Sequence, residues 1–334
     1  MKPTRTAALL IGLALLAGGC AKNANATGAR PGPSSSTSRA LPNPFTVTAR
    51  HTAKSLGLNH PDSLAIGPDG DLYVTDVSQR VTVISPAGKV LRRWGRPGRG
   101  PGQFRFTNSG DPSIPTDIAG KIAVSPDGDV YVADSGNARV EEFTPQERFV
   151  RQFGSYGGLE GQFLSTFDIA VDEASNVYVT DGPTGTLTKF SPAGKAIWQI
   201  GGSASSDPDF SACCLNFTGF DAHGRLLAVN DGVAKVLYID GSGHKVDAFS
   251  PSTSENVHVC EVTIDAAGNT YVSGCGPEPD GPTLVYDPAH RLIAKWPGTR
   301  YSLLRSPVFG PRGEVFALAT DGSILRLHIT LPGA

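Results

Sequence analysis

The sequence predicts an all-β fold built from a repeated unit of four short strands, and three observations support this. The 334 residues include 40 Gly and 26 Pro but only one Met, a turn-rich composition that favours strands over helices. A hairpin pattern occurs six times, each with a short apolar run, a turn carrying Asp, Asn or Gly, and an alternating run. A third apolar run, and often a fourth, follows each hairpin. Four short strands repeated radially form the blade of a β-propeller, so we predict a six-bladed β-propeller.

The three clearest hairpins define the repeat. They are SLAIGPDGDLYVTD at 63–76, KIAVSPDGDVYVAD at 121–134 and DIAVDEASNVYVTD at 168–181. Weaker copies begin at residues 218, 261 and 306. The turns recur roughly every 45 to 60 residues, which is the period expected of propeller blades.

The last blade is one strand short, because only SILRLHI follows its hairpin. The segment PFTVTARH at 44–51 alternates like a strand and lies just before blade one. An unpaired edge would invite aggregation. We therefore expect residues 44–51 to form the outer strand of blade six and to close the ring.

The N-terminus is typical of an export signal. Residues 1–19 carry Lys2 and Arg5 before an apolar run at 7–17, which is too short to span a bilayer. The ending LLAGGC resembles a bacterial lipobox, and this resemblance implies that Cys20 is lipidated. We expect anchoring to the cell membrane, and to the outer membrane in a cell with two. Ordinary cleavage without lipidation is the alternative.

The chain that follows divides into a tether and a domain. Residues 20–43 begin with the lipidated Cys20 and then hold almost no large apolar groups, which predicts a disordered tether. Residues 44–334 form the predicted propeller, which we expect to be a monomer. The formal net charge is −2, and it becomes −4 without Lys2 and Arg5. A mildly acidic exported domain is not expected to bind nucleic acid.

Blade two resembles the NHL repeat nearly end to end. The segment is GKIAVSPDGDVYVADSGNARVEEFTPQERFVRQFG at 120–154, and it includes VADSGNARV. The resemblance extends over roughly residues 44–330, with good matches in blades one and three and degenerate ones in blades four to six. It implies an NHL-type propeller, a fold that hosts both enzymes and binding modules.

Two glycine-rich segments also repeat: WGRPGRGPGQF at 94–104 and FGSYGGLEGQF at 153–163. A phosphate cradle would need a strand before it, a helix after it and a lysine and hydroxyl at set spacing. The NHL resemblance implies instead that each segment joins one blade to the next, with Phe104 and Phe163 filling the space between blades. Anion binding by Arg96 and Arg99 is the alternative.

Four cysteines, Cys213, Cys214, Cys260 and Cys275, follow the lipidation site, an even number in an exported protein. The blade-five hairpin brings Cys260 and Cys275 close, and we slightly favour that disulfide. It would leave Cys213 and Cys214 as a vicinal bridge or reduced. The alternative joins one of them to Cys260. The spacing is not that of a zinc motif.

Candidate site residues converge at the mouth of the central channel. His60 and His258 occupy equivalent places before the inner strands of blades one and five, with Asp62 and Asp117 nearby. Two histidines with a carboxylate could bind a divalent metal such as zinc or calcium. The competing interpretation is that these residues only pack or cap loops. Asp76, Asp134 and Asp181, which end second strands, are expected to bond turn N–H groups.

Some six-bladed relatives hold a metal at this mouth: the peptide-amidating lyases, the streptogramin lyases and the gluconolactonase-like hydrolases. None of their complete catalytic sets maps onto this chain. We therefore predict a membrane-anchored binding or scaffold module for a cell-envelope protein, a glycan or a small ligand. The alternative is a metal-dependent lyase or lactonase with its site at the channel mouth.

Overall fold

A computed structural model describes residues 41–106, 120–203, 205–210, 215–251, 258–275, 282–296 and 307–332. Residues 40–334 form one compact unit. In the described residues no helix has the length and apolar composition needed to cross a membrane. The predicted signal segment and residues 20–40 of the predicted tether, including Cys20, lie outside them, whereas residues 41–43 are described.

The described residues form six four-stranded antiparallel sheets, as predicted. Strand β1 (Phe45–His51) and helix α1 (Ala53–Leu56) precede blade one. Blade one contains β2 (Pro61–Ile66), β3 (Leu72–Asp76), β4 (Arg80–Ile84) and β5 (Val90–Trp94). The short strands β6 (Arg96–Pro97) and β7 (Gln103–Phe104) lie in the connection to blade two. Blade two contains β8 (Lys121–Val124), β9 (Val130–Asp134), β10 (Arg139–Phe143) and β11 (Phe149–Phe153).

The remaining blades follow the same order from the inner strand outward. Blade three contains β12 (Thr166–Val171), β13 (Val177–Asp181), β14 (Thr186–Phe190) and β15 (Ala196–Gly201). Blade four contains β16 (Leu215–Phe220), β17 (Leu226–Asn230), β18 (Lys235–Ile239) and β19 (Lys245–Phe249). Blade five contains β20 (His258–Ile264), β21 (Thr270–Cys275), β22 (Thr283–Tyr286) and β23 (Leu292–Trp296). Blade six contains β24 (Val308–Phe309), β25 (Val315–Leu318) and β26 (Ile324–Ile329). Three 3-10 turns span Ser135–Asn137, Pro208–Phe210 and Asp231–Val233.

The hydrophobic core is divided into six clusters, each between two successive blades. Between blades one and two, for example, Val81 and Val83 pack with Val130 and Val132. The other clusters join blades two to three, three to four, four to five, five to six and six to one. The blades therefore follow chain order around the ring, which places blade two opposite blade five.

The N-terminal strand closes the ring, as predicted. Strand β1 pairs antiparallel with β26 and completes the sheet of blade six. Its first residue, Phe45, is buried. The Phe45 ring forms T-shaped contacts with two rings, with centroid separations of 4.8 Å to Trp296 and 6.0 Å to Tyr271. The strand thus joins blade five to blade six by packing as well as by backbone hydrogen bonds.

The two glycine-rich connections have the same structure. Phe104 and Phe163 are fully buried in the clusters between blades, as predicted. Each phenyl ring packs against a glycine with positive φ, Gly95 at +92° and Gly154 at +84°. A Cβ atom at either glycine would lie 2.6 Å from that ring. Glycine is needed here for both its conformation and its lack of a side chain.

Arg139, in strand β10, fixes the first glycine-rich connection (residues 94–104) through hydrogen bonds. Its guanidinium donates hydrogen bonds to the carbonyl oxygens of Arg99, Gly100 and Gln103 at 2.8, 3.1 and 2.8 Å. It also pairs with the buried carboxylates of Asp134 and Glu141, each at 2.9 Å. These contacts make the segment a structural connection.

The backbone N–H groups of this connection are also engaged. The N–H of Gly98 donates to the Phe104 carbonyl at 3.0 Å, and that of Gly102 donates to the Glu141 carboxylate at 3.0 Å. The N–H of Gly100 donates to the Gln103 side chain at 3.3 Å. An anion cradle needs such groups to point at a ligand. The backbone therefore does not form one here.

The Arg139 cluster predicts a pH dependence of stability, because one guanidinium serves two buried carboxylates. Burial, reinforced by the Asp134 charge, raises the pKa of Glu141 to about 7, although Arg139 and the Gly102 N–H oppose the shift. The folded protein then holds a proton that the unfolded chain releases at lower pH. Stability should fall as pH rises from about 4.5 to about 7.

Urea unfolding between pH 5 and pH 8 checks this prediction. The Glu141→Gln variant, which does not titrate, should show a shallower decline in unfolding free energy over this range. Glu160→Gln, at an exposed position in the second connection, is the matched control and should keep the parent slope. Equal slopes for all three proteins would contradict the prediction.

The strand-ending aspartates are structural, and Asp76 bonds the turn that follows its strand, as predicted; the N–H donors to Asp134 and Asp181 lie instead in the segment before an inner strand. Asp76 accepts hydrogen bonds from the N–H groups of Asn59 at 3.1 Å and Ser78 at 2.9 Å. Asp134 likewise accepts from Arg105 at 2.7 Å. Asp181 accepts from Leu164 at 2.8 Å and Ser165 at 3.1 Å. Each carboxylate therefore ties its blade to the segment that leads into an inner strand.

Candidate binding site at the channel mouth

Four polar residues occupy the same place on the inner strands of four blades. Ser63, Lys121, Asp168 and Glu261 pair with Thr75, Ala133, Thr180 and Ser273, which are equivalent residues of the neighbouring second strands. All four line the central cavity. Because the strands converge around one axis, this shared register forms a ring of polar groups, here called the polar ring.

Asp62 joins the polar ring through a β-bulge. The register of β2 shifts between Pro61 and Ser63, so Asp62 is the extra residue. Bulges redirect a side chain without ending a strand. As a result, Asp62 and Ser63 both line the cavity although they are neighbours in sequence.

Lys121 reaches across the channel. Its Nζ lies 3.5 Å from Oδ2 of Asp62 in blade one and 3.8 Å from Oε1 of Glu261 in the opposite blade five. The three side chains are buried, with residue exposures of 4–6%. Both separations exceed the 2.7–2.9 Å typical of charge-assisted hydrogen bonds. The ammonium group is thus shared between carboxylates and not tightly bound to either.

The polar ring carries more negative than positive charge. Asp62, Asp168 and Glu261 supply three carboxylates, and Lys121 is the one cation among the residues that line this described cavity. The cavity has a volume of about 260 Å³, and small apolar side chains such as Ala65, Ala123 and Ala170 also line it. A cavity whose lining carries net negative formal charge attracts positively charged ligands. The site can therefore accept a cationic group.

The other end of the channel has a different character. A wider recess of about 960 Å³ is lined there by the hairpin turns. Two of its three carboxylates are bonded within their own turns: Asp221 pairs with Arg225 at 2.6 Å, and Asp172 accepts from Asn176 at 2.8 Å, while Glu173 is the third. The polar ring consequently marks the end better suited to a ligand.

The structure places only some of the predicted site residues at the channel. Asp62 lies in the channel, whereas His60 is exposed in the preceding loop, with its Nδ1 2.9 Å from Oδ1 of Asn59. His60 is not among the residues that line the cavity. Asp117 and the side chain of His258 lie outside the described part of the chain.

A metal does not fit the residues that can be placed. Of the predicted ligands with a described side chain, Asp62 lines the cavity and His60 does not, so the structure does not bring these two together at one ion. Across the described segments, no group of three His, Cys, Asp or Glu side chains is arranged to hold a metal.

The cysteine pairing stays a prediction. Cys213 and Cys214 lie outside the described residues, as do the side chains of Cys260 and Cys275. The backbone pairs Val259 with Gly274 and His258 with Cys275, and a bulge at Cys260 follows. The bulge shifts the register between β20 and β21 at Cys260.

Sequence reasoning missed Lys121, Asp168 and Glu261 as site residues. A signal was nevertheless available, because each is the polar first residue of its hairpin: KIAV, DIAV and EVTI. Ser63 begins SLAI in the same way. A polar residue at one fixed position of a radial repeat indicates a ring around the channel.

Comparisons with known proteins agree with this architecture. The sequence model of the NHL repeat matches residues 116–143, which include the first strands of blade two. The structure of a streptogramin B lyase is similar with a TM-score of 0.58 and 13% identity, covering 86% of this chain and 98% of the lyase. A catalytically inactive virginiamycin B lyase from Staphylococcus aureus, solved with quinupristin, has a TM-score of 0.56 and 13% identity. The similar region covers 86% of this chain and 100% of the lyase chain. Among curated protein sequences no match is found. At this identity the similarity shows the fold alone.

Proposed function

Because the chain is a six-bladed β-propeller with an NHL repeat, we propose that it is a membrane-anchored extracytoplasmic binding module. The predicted export signal and lipidation of Cys20 support the anchor, which would hold the protein at the cell membrane. The polar ring supports a ligand site at the channel mouth. The proposed ligand is a small molecule, or a partner side chain, that carries an ammonium or guanidinium group.

One observation carries the proposal: Asp62 and Glu261, from two blades, share the Lys121 ammonium, and Asp168 adds a third carboxylate to the same cavity. Asp62 and Glu261 lie 3.5 and 3.8 Å from Lys121, so neither is committed to a short ion pair with it. A second cation near Asp168 or Glu261 would reduce the excess negative charge. The negative channel would also attract such a ligand before contact.

Calorimetric titration of the full-length protein with two related compounds tests this proposal. Putrescine, a diamine, should bind, whereas 1,4-butanediol, which has the same carbon chain without charge, should not. Glu261→Gln should weaken putrescine binding at least tenfold, because a charged partner is lost. Glu160→Gln removes an exposed carboxylate elsewhere and should leave binding unchanged.

Two outcomes would contradict the proposal. Equal titration curves for putrescine and butanediol would show that charge is not recognised. Near one equivalent of bound transition metal, lost in both His60→Ala and His258→Ala, would favour the metal-dependent lyase or lactonase. Elemental analysis of protein purified without chelator provides that second measurement.

A further inference from the structure

A second recess lies on the same side of the propeller, between the two glycine-rich connections. The first connection contributes Arg99 and Arg105, and the second contributes Tyr156 and Leu164. Blade two supplies the floor, which includes Arg139. The recess, here called the arginine groove, has a volume of about 550 Å³, within the range of small-ligand sites.

The arginine groove is positively charged on an acidic protein. The Arg139 guanidinium is balanced by Asp134 and Glu141. Arg99 and Arg105 are exposed, and neither takes part in any ion pair of the described residues. No acidic side chain lines the groove among the residues described there. Two guanidinium groups are therefore available to an anion.

The backbone holds both arginines in place while their side chains remain exposed. The Arg99 carbonyl accepts a hydrogen bond from Arg139 at 2.8 Å. The Arg105 N–H donates to Asp134 at 2.7 Å, and its carbonyl accepts from the Gly136 N–H at 2.7 Å. The positions from which the two side chains extend are therefore fixed, and a ligand need not order the backbone of the connection.

An exposed aromatic ring forms the opposite wall. Tyr156 is 76% exposed although its backbone is fixed by a parallel bridge to Phe163. The neighbouring N–H of Gly157 donates to the Phe163 carbonyl at 3.0 Å. The equivalent position in the first connection is Pro97, so the repeat does not require an aromatic residue there. An exposed tyrosine on a fixed backbone offers a flat, amphipathic contact surface.

We propose that the arginine groove binds a pyranose ring that carries a carboxylate. Arginine matches a carboxylate with two parallel hydrogen bonds, and Tyr156 can lie against the apolar face of the sugar ring. Inorganic phosphate would leave the aromatic wall unused, and a neutral sugar would leave the guanidinium groups unpaired. This site is separate from the polar ring and does not depend on the ligand bound there.

Titration of the full-length protein with three probes tests the class of ligand. Glucuronate should bind more tightly than glucose and more tightly than inorganic phosphate. Arg99→Gln and Arg105→Gln should each weaken glucuronate binding at least tenfold. Tyr156→Ala should weaken it several-fold and leave any weak phosphate binding unchanged.

Arg96→Gln is the matched control, because Arg96 is exposed on the same connection but does not line the groove. It should bind glucuronate like the parent. Phosphate binding as tight as glucuronate binding, with no effect of Tyr156→Ala, would overturn the proposal in favour of a simple anion site. Absence of glucuronate binding by the folded parent would also overturn it.

Discussion

Deletion of residues 44–52 should abolish the single cooperative unfolding transition of the propeller. The deletion removes β1, which is the outer strand of blade six and pairs with β26 from Phe45↔Ile329 to His51↔Ile324. It also removes Phe45 from the cluster between blades five and six. An open ring exposes the edge of β26 and apolar surface at once. Calorimetric and denaturant melting measure the effect.

Two further variants make this test specific to ring closure. Phe45→Ala keeps the strand but removes the buried phenyl group, and it should cost about 3–5 kcal/mol while the transition stays cooperative. Deletion of nine residues at 27–35, within the predicted tether, is the control for chain length and should change nothing. A 44–52 deletion that melts like the parent would show that β1 does not close the ring.

Replacing Arg139 with Met should lower the free energy of unfolding by about 3–5 kcal/mol, the usual cost of breaking a buried ion pair. The variant leaves the carboxylates of Asp134 and Glu141 buried without their cation. It also removes three hydrogen bonds to carbonyls of the first connection. Urea unfolding at pH 7 measures the loss.

Arg139→Lys separates charge from geometry. Lysine keeps the positive charge but cannot donate a planar fork of hydrogen bonds to several carbonyls, so most of the loss should remain. The control is Arg50→Met, which breaks the exposed Arg50–Asp321 pair, with side-chain exposures of 38% and 46%. That change should cost no more than about 1 kcal/mol. Equal losses for Arg50→Met and Arg139→Met would contradict the assigned role of Arg139.

Most of the architecture could be predicted because it depends on sequence patterns within short segments of the chain. The hairpins at 63–76, 121–134 and 168–181 each contain their own turn residues and alternating strands. The segment 44–51 alternates like a strand but belongs to no hairpin, and blade six lacks one strand. Together these two observations predicted that residues 44–51 close the ring. The buried positions of Phe104 and Phe163 followed from the repeat of the connections.

The candidate sites could be predicted only in part. Asp62 was identified because it lies near the start of an inner strand, and it does line the channel. His60 has an equally suggestive position, but its side chain is exposed outside the cavity. The difference depends on the bulge that turns Asp62 inward, and a single-residue bulge leaves no clear mark in a sequence.

The sequence by itself determined the number of blades, the element that closes the ring and the structural role of the glycine-rich connections. These properties depend on turn chemistry and on strand alternation, which act between residues close in the chain. Only the tertiary structure decided which side chains meet. Lys121 lies near Glu261 because closure of six blades brings opposite inner strands to one axis. Arg99 shares a groove with Tyr156 because successive connections lie side by side. Such contacts join residues separated by one or more whole repeats, so no local pattern specifies them.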